Sequence, residues 1–563
     1  MAIGLDVLIE RLGLRDLADR VRFDDLSPDD GLEGPANGPE APDNGPEGPD
    51  NGSVGPNNHN GSEGPNNGSE GPNNGSEGPN NGAALVLHRL ADRLGSGSLP
   101  EDPGTWLDRF FSLVEGSWLF GLDLGSVEPL VRAHRALTSA ARTFLALPKC
   151  PPIGGGNLPA EVYVDLRDRA PGLLRAFERL LAKGVDLRER SDKGRQCVCS
   201  VLRASGPNLL LLAVTFIEPH TWSGPAAVHA AAQLLSLLRR MSDVQDDQML
   251  LSPEPGHNRG LAKAALAILR PVLTRETWAE DESSRHVFVW LCLHIVRPSL
   301  APHIPALLPP CLILLDDYRL PNQLLGLQCI KHIIANTPAA VLRWQDRAEV
   351  IYHAIHKQLY SRNAQLLQAT YPCLLNMLTV IEEGRTTTGA RPLQTGPGRT
   401  DAVVRLTLWH VGIEECEDVR LAYIQALAPL IDRLQVGAVR HMKLLLPTLI
   451  SFLQAWDGPD GKTRQAALNS LMHMIRHAWP RLIHRRGELV QALLRFVCEV
   501  SGGSLEGPPL AQNVQQTLLE GATECLVLLD RASLGDVKNL LKGVKHHTDD
   551  PKLMACILAV DNA

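Results

Sequence analysis

The chain has 563 residues, of which 55 are basic and 63 are acidic, so its formal net charge is −8. A mildly acidic chain has no global electrostatic attraction to DNA or RNA, and we therefore expect no direct binding of nucleic acid. Hydrophobic residues make up 44% of the chain and aromatic residues only 4%. That composition supplies a large core but disfavours β-sandwiches and barrels, whose strands are rich in aromatic side chains.

The N-terminal region has two parts of different composition. Apolar side chains recur at helical spacing over residues 2–22 and predict an amphipathic helix within residues 1–30. Residues 31–82 hold heptapeptides such as GSEGPNN, rich in Gly, Pro, Asn and Glu. These repeats have almost no apolar side chains to offset the entropy cost of ordering, so we interpret the segment as a disordered low-complexity insertion. A partner-binding tail is the alternative interpretation.

Neither secretion nor membrane insertion is indicated. Asp6 and Glu10 interrupt any signal-peptide core. The longest largely apolar run, 209–217, is shorter than the ~20 residues that a membrane helix needs. The 11 cysteines are scattered, several within apolar helical stretches, which is typical of buried reduced thiols in cytosolic or nuclear proteins. Cys197 and Cys199 lack the spacing of a zinc site. We expect a cytoplasmic and nuclear protein without contact to a membrane.

Helical periodicity dominates from residue 83 onward. We predict a less regular N-terminal helical region at 83–250, in which 226–241 is a clear helix. Residues 162–166 fit either a short strand or the start of a helix. We predict a second helical region at 251–563, interrupted by a mobile loop at 384–400 that is rich in Gly, Thr and Pro.

Three segments of the second region, 304–337, 401–434 and 443–480, share one design. Each has an apolar helix A, an acidic turn and a helix B with small residues where helices cross. Acidic residues favour helix N-termini, and small residues let helices approach closely. The turn aspartates are Asp317, Asp418 and Asp460, the residues opening helix B are Asn322, Arg420 and Arg464, and the small residues are Gly326, Ala422, Ala426 and Ala467.

This design resembles the HEAT repeat, a helical hairpin that stacks on its neighbours. A single hairpin cannot bury its apolar face, so several must stack. We therefore predict an all-α fold, a HEAT-like α-solenoid of stacked antiparallel helix pairs. A set of unrelated helical bundles is the alternative.

The sequence offers little for catalysis. It has no Gly-x-Ser-x-Gly, His-Glu-x-x-His or Gly-x-Gly-x-x-Gly motif. The tripeptide 461–463 resembles the end of a phosphate-binding loop, but Trp456 occupies the place of the upstream glycine. We expect no enzymatic activity, no cofactor and no bound metal.

Candidate partner-binding residues come from three places. The helical stripe of 348–360 contains Tyr352, His353 and His356, whose histidine spacing lacks an evident third metal ligand. A packed or partner-facing helix is therefore predicted there. One repeat turn and its helix B contribute Asp316, Asp317, Tyr318 and Asn322, and Trp290 completes the set. The alternatives are that the two aspartates cap helix B and that Trp290 belongs to the core.

A basic cluster lies between 476 and 486, with Trp479 as its only aromatic residue. A nucleic-acid site needs interleaved aromatic residues and broader positive charge. We interpret this cluster as a solvated ridge or a protein-binding patch.

Three stretches carry a resemblance to a known family. They are RETWAEDESSRHVFVWLCLHIVRPSLAPHI at 275–304, LLPPCLILLDDYRLPNQLLGLQCIKHIIANTPAAVL at 307–342 and DRAEVIYHAIHKQLY at 346–360. Weaker support comes from AWDGPDG at 455–461, HAWPRL at 477–482 and ATECLVLLDRA at 522–532. The block 266–383 resembles the Tel-two-interacting protein two family, a HEAT-repeat subunit of the Triple T co-chaperone complex.

The resemblance implies a non-catalytic adaptor that assembles with the Tel-two protein and Tel-two-interacting protein one. Indirect partners would be the heat-shock ninety chaperone system, with its RuvB-like co-chaperones, and the phosphatidylinositol-3-kinase-related kinases ATM, ATR, DNA-PK and mTOR, whose maturation the complex supports. One alternative is a HEAT adaptor of nuclear-transport or phosphatase-scaffold type, which needs a long acidic groove. Another is an enzyme with an unrecognised site.

Overall fold

The computed structural model describes residues 82–98, 102–122, 126–150, 158–252, 260–386, 398–456, 458–502, 510–545 and 550–563. Within these ranges every regular element is a helix, and the predicted all-α fold is confirmed. The helix predicted at 2–22 and the repeats of 31–82, apart from Gly82, lie outside the described residues.

The described helices fall into two units. The first unit ends at Val244, and the second begins at Gln245, whereas the sequence pattern predicts this boundary at 250. Residues 148–150 belong to the second unit, where the Cys150 N–H donates to the Glu280 carbonyl oxygen at 2.9 Å. The helices of the first unit are α1 Gly82–Ser96, α2 Pro103–Leu113, α3 Gly116–Phe120, α4 Glu128–Phe144, α5 Val164–Arg190, α6 Asp192–Phe216 and α7 Pro225–Ser242.

The first unit is built around the long helices α5 and α6. Helix α5 packs against α2 and α7, and α6 packs against α4 and α7. A 3-10 turn, Ala160–Tyr163, leads directly into α5, which resolves the strand-or-helix alternative at 162–166 in favour of a helix start. The helix predicted at 226–241 is confirmed as α7.

Helix α6 is long and apolar enough to cross a membrane, with a mean hydropathy of 1.6 in its most apolar window. The apolar run 209–217, which is too short to cross a membrane, therefore underestimates the apolar length of this helix. However, 83% of that window is buried inside the protein, so α6 is a core helix of its unit. A second apolar stretch, Glu417–Gln454, passes the same test but is 39% buried and contains two helices joined by a 3-10 segment.

His134 of α4 lies fully buried in this core. Its Nε2–H donates to the Leu119 carbonyl oxygen at 2.9 Å, and its ring stacks on Phe120 with centroids 5.5 Å apart. Burial lowers the pKa of His134 to about 4, although the hydrogen bond to Leu119 opposes this shift. The imidazole is therefore neutral near pH 7.

The second unit begins with short helices and continues as a stack of helix pairs. Its helices are α8 Asp247–Leu251, α9 Ala262–Leu269, α10 Glu282–His294, α11 Ile304–Asp316, α12 Leu320–Asn336, α13 Ala339–Arg343, α14 Arg347–Lys357, α15 Ala364–Thr386, α16 Arg399–Ile413, α17 Glu417–Leu434, α18 Met442–Gln454, α19 Lys462–Leu482, α20 Arg486–Gly502, α21 Gln512–Ala532, α22 Asp536–Lys545 and α23 Pro551–Asn562. Both ends of the predicted loop at 384–400 are helical, because α15 continues to Thr386 and α16 begins at Arg399, and residues 387–397 lie outside the described residues.

The predicted hairpins are confirmed as α11–α12, α16–α17 and α18–α19, and α14–α15, α20–α21 and α22–α23 pair in the same way. The second helices of the pairs form one continuous layer, in which α12, α15, α17, α19, α21 and α23 each pack on the next. Their buried faces are apolar, as in α17, where Val419, Ile424 and Ile431 are buried. Each pair therefore covers apolar surface of its neighbour.

Asp401 fixes the start of α16 against the next pair. Its carboxylate accepts the Gly398 N–H at 2.8 Å and two bonds from the Arg440 guanidinium at 2.7 and 2.9 Å. His441 Nε2 lies 2.7 Å from the same group. Burial alone would raise the pKa of Asp401, but these partners outweigh it and hold the pKa below its usual value. The carboxylate links the beginning of α16 to the segment that precedes α18.

Gly326 marks the close crossing of α11 and α12 that the sequence predicted. A Cβ added at this position would lie 2.7 Å from the Leu315 nitrogen and 3.1 Å from the Cys311 carbonyl oxygen. Both are backbone atoms, which cannot move without shifting a helix. The glycine therefore sets the distance between the two helices.

Gly326→Ala is expected to destabilise the second unit by about 1–3 kcal/mol, the usual cost of overpacking a core. The matched control is Gly412→Ala in α16, where an added Cβ meets nothing within 4 Å. That variant is expected to be neutral or slightly stabilising, because alanine favours a helix more than glycine does. Urea unfolding of the full chain measures both. Equal stability of the two variants would contradict the close crossing.

His134 predicts a specific pH dependence of stability. The unfolded state takes up a proton near pH 6.5, whereas the folded state resists protonation down to about pH 4. The contribution of His134 to the free energy of unfolding is therefore fully present above about pH 6.5 and is lost as the pH falls below that value. The expected loss is about 2 kcal/mol between about pH 7 and about pH 5.

The comparison variant is His134→Gln, whose amide can still donate to Leu119 but does not titrate. Urea unfolding at the two pH values gives the decrease in the free energy of unfolding between about pH 7 and about pH 5. This decrease is expected to be about 2 kcal/mol smaller for the variant than for the natural protein. Identical pH dependence of the two proteins would rule out His134 as the source.

Candidate partner-binding surface

The stripe predicted on α14 forms a row of rings in tilted and edge-to-face contact. Tyr352 and His356 lie four residues apart on one face of α14, and Tyr360 lies in the 3-10 turn Gln358–Tyr360 that follows the helix. The ring centroids of Tyr352 and His356 are 5.5 Å apart, and those of His356 and Tyr360 are 6.2 Å apart. Tyr352 is 7% exposed, whereas Tyr360 is 58% exposed. The row thus runs from the core to the surface.

Helix α16 of the next pair extends this row. The His410 ring lies 5.6 Å from Tyr360 and 5.0 Å from Trp409. Trp409 is 58% exposed, and Ile413, one turn further along α16, is exposed as well. We refer to Tyr352, His356, Tyr360, Trp409 and His410 as the aromatic surface. It combines side chains from two consecutive helix pairs.

A buried tyrosine supports the aromatic surface from below. Tyr423 of α17 stacks on His410 with centroids 5.4 Å apart and ring planes 5° from parallel. Its hydroxyl donates to the Leu359 carbonyl oxygen at 3.2 Å. Burial raises the pKa of Tyr423 to about 12. Tyr423 therefore stays neutral and holds the two helix pairs in register under the exposed rings.

The imidazoles of the aromatic surface favour the neutral form. Burial lowers the pKa of His356, and the nearby His353 lowers it further. Burial also lowers the pKa of His410, against an opposing effect of Glu414. At neutral pH the surface is therefore uncharged and aromatic. Tyr and Trp side chains of this kind are the commonest energetic anchors of protein interfaces.

Arg399 connects α14 and α16 at the other end of the row. Its guanidinium lies 4.8 Å from the centre of the Tyr352 ring and 2.6 Å from a carboxylate oxygen of Glu349. The hydrogen bond to Glu349 raises the pKa of Arg399. This contact orients Tyr352, which explains why a predicted candidate residue is buried at the foot of the surface.

The four predicted residues of the repeat turn occupy different environments. Asp317 accepts hydrogen bonds from Asn322 Nδ2 at 2.5 Å and Arg319 Nε at 3.3 Å. It does not cap α12, whose N-cap residue is Arg319 without a side-chain cap. Asn322 is buried, whereas Tyr318 is exposed beside the Arg319 guanidinium. The Asp317–Asn322 bond therefore stabilises the turn itself.

Asp316 connects this turn to the aromatic row. Its carboxylate accepts a hydrogen bond from Lys357 Nζ of α14 at 2.9 Å. His353 is exposed on the same helix, next to Tyr352. Asp316, His353 and His356 thus lie on neighbouring elements.

Trp290 is placed apart from these residues on α10. It is buried and stacks on His294 with centroids 3.9 Å apart. Its position fits the core alternative. Partner contact through any of the eight candidate residues stays a prediction.

The residues that sequence reasoning missed are Trp409 and His410. Helix α16 buries Val403, Val404 and Leu408, so its apolar stripe is complete without Trp409. A large aromatic side chain outside that stripe, four residues before Ile413, is the signal that could have identified this surface.

A groove of about 1010 Å³ lies along α21 and α23 at the end of the second unit. Cys556 lines it and accepts a contact from the Thr523 hydroxyl at 3.1 Å. Burial raises the pKa of the Cys556 thiol, which opposes nucleophilic chemistry. The groove provides contact area but lacks an activated thiol at Cys556.

The basic cluster of 476–486 is largely neutralised. Arg476 pairs with Glu524 at 2.9 Å, Arg485 with Glu488 at 2.5 Å and Arg486 with Asp536 at 3.3 Å. These ion pairs leave little free positive charge for phosphate groups. They fit the interpretation as a solvated ridge.

The described residues of the second unit include two groups of potential metal ligands. Cys292, Cys311 and Cys329 meet between α10, α11 and α12, and all three are buried. Asp432 of α17 meets His473 and His477 of α19 at the surface. In each group the three ligand atoms lie within 4.8 Å of one another.

Comparison with known proteins identifies the family. The model of the Tti2 family matches residues 252–459. TELO2-interacting protein 2 of Mus musculus is 32% identical over 453 residues, which cover 80% of this chain and 85% of the mouse protein. The protein of the same name from Homo sapiens is 32% identical over 409 residues, which cover 72% of this chain and 78% of the human protein.

Among solved structures, the karyopherin Kap121p bound to Ste12p is 12% identical, covering 85% of this chain and 49% of that chain with a TM-score of 0.39. Such a score carries no weight here, and the fold assignment rests on the helix pairs. The resemblance seen in 266–383 agrees with the family match and with the two mammalian relatives. The chain belongs to the Tti2 family.

Proposed function

We propose that this protein is a non-catalytic scaffold subunit that binds TELO2, the Tel-two protein, through the aromatic surface. The proposal rests first on its relatives, which are named TELO2-interacting protein 2. It rests also on position, because the aromatic surface lies inside the segment 252–459 that matches the family.

The chemistry of the aromatic surface suits a protein partner. Tyr360 and Trp409 offer large, rigid rings that lose little conformational entropy on binding. The ion pair of Asp316 with Lys357 and the acidic Glu414 lie around them. An apolar centre with a polar rim is the usual anatomy of a protein interface.

We extend the proposal to the assembly that the family resemblance implies. The protein joins TELO2 and Tel-two-interacting protein one in the Triple T co-chaperone complex, in the cytoplasm and the nucleus. With the heat-shock ninety system, this complex supports the maturation and stability of ATM, ATR, DNA-PK and mTOR. A stack of helix pairs suits such a role because it presents an extended surface for binding other proteins.

Trp409→Ala is expected to weaken binding of the TELO2 complex by about tenfold or more, since loss of a central aromatic anchor costs about 2 kcal/mol or more. Trp344→Ala is the matched control, because Trp344 is 67% exposed and lies outside the aromatic surface. The control is expected to bind like the natural protein.

The measurement is co-purification and a binding titration of full-length proteins. Unchanged circular dichroism and melting temperature establish that both variants fold. If the Trp409→Ala variant bound TELO2 with the same affinity as the natural protein, the aromatic surface would be ruled out as the docking site. Recovery of a transport receptor cargo or a phosphatase subunit in place of TELO2 would favour the alternative type of HEAT adaptor.

Deletion of residues 31–82 is expected to leave binding of the TELO2 complex unchanged within about twofold. The reason is compositional, since the heptapeptides carry almost no apolar side chains that could serve as interface anchors. The same co-purification assay tests this expectation, and a loss of binding would favour the partner-binding tail.

A further inference from the structure

Asp432 and the two histidines of α19 form a compact cluster between consecutive helix pairs. His473 Nδ1 lies 2.5 Å and His477 Nε2 lies 2.8 Å from the same oxygen, Asp432 Oδ1. The histidines are one helical turn apart, so both rings project on one face towards α17. One carboxylate and two imidazoles therefore converge on a single point.

We propose that Asp432, His473 and His477 bind a zinc ion that joins α17 to α19. Two imidazole nitrogens and one carboxylate oxygen are ligands that zinc accepts, and a solvent molecule completes the tetrahedral set. This proposal is independent of TELO2 binding, because the cluster lies on other helices than the aromatic surface.

The geometry needs only a small adjustment. In a tetrahedral zinc site with bonds of about 2.0–2.2 Å, ligand atoms are about 3.3 Å apart. The nitrogen–oxygen distances here are shorter by less than 1 Å. The side chains are 22% exposed for His473, 30% for His477 and 45% for Asp432. Rotation of partly exposed side chains opens the space for the ion without moving a helix.

The charges around the cluster do not oppose a cation. Arg476, one residue before His477, is paired with Glu524 of α21. Arg433, beside Asp432, donates to Glu382 at 2.7 Å and to Thr379 at 2.7 Å. Both guanidinium groups are thus engaged with other partners. Asp432 supplies one negative charge, and the neutral forms of the two histidines supply lone pairs.

The buried trio of Cys292, Cys311 and Cys329 is a second group of potential ligands in this unit. Thiolates are good zinc ligands, so the trio competes for the ion in a titration. The histidine cluster differs from it in access, because Asp432, His473 and His477 are partly exposed whereas all three cysteines are buried.

The test is a calorimetric titration of the chelator-treated full chain with zinc alone. We expect one ion bound per chain and a rise in melting temperature, because a ligand that binds only the folded state stabilises it. The His473→Gln, His477→Gln double variant and Asp432→Asn alone are each expected to weaken zinc binding by at least about tenfold. Both should melt like the natural protein in chelator.

The matched control is His88→Gln on α1, where the histidine is exposed. Among the described residues, His88 belongs to no group of three metal-ligating side chains, so this variant should bind zinc like the natural protein. Cobalt substitution provides a second readout, in which nitrogen and oxygen ligands give no thiolate charge-transfer band.

Three results would overturn the proposal. They are the absence of zinc binding by the natural chain, binding that survives in both cluster variants, and a thiolate band showing that the metal enters the cysteine trio.

Discussion

Burial of apolar helix faces that no single helix pair can cover is the constraint on which the second unit depends. The second helices of successive pairs pack on one another as a continuous layer. Helix α17 alone buries nine residues against its neighbours. Because each pair completes the core of the next, stability is shared between neighbours rather than confined to one hydrophobic centre.

This constraint also decides where function can lie. The buried faces of the second helices are occupied by packing, so functional side chains lie on the first helices or on the exposed parts of the second helices, as Asp432, His473 and His477 do. Among the first helices, α16 carries Trp409 at the surface, and the turn that follows α14 carries Tyr360. The aromatic rings are therefore a product of the same arrangement that forms the core, since Tyr423 of the packed layer supports them from below.

The sequence predicted the parts of this structure that repeat. Helical periodicity located the hairpins, and Gly326 was recognised as a crossing point, because these features leave a regular local signal. The turn aspartate Asp317 was also found, but its partner is the Asn322 side chain rather than the end of a helix. Local patterns identify which residues matter in a turn but not which of several hydrogen-bond acceptors or donors they meet.

Contacts between consecutive helix pairs could not be predicted from the sequence. His410 contacts Tyr360, and Asp432 contacts His473 and His477. These partners lie about 40–50 residues away, the usual repeat length, and one sequence contains no record of such pairing. His477 was assigned to a basic cluster because its neighbours in the chain are basic. In the folded protein it faces Asp432 instead, since α19 turns its face towards the preceding pair.

The edge-to-face contact of Tyr360 with His410 has a mechanical consequence. The two rings belong to different helix pairs, so their 5.6 Å separation depends on the angle between those pairs. Bending the stack at this joint would part the rings before any backbone hydrogen bond of a helix is broken. A bound protein that contacts both rings therefore restricts bending between these two helix pairs. Binding at this position makes the stack of helices stiffer.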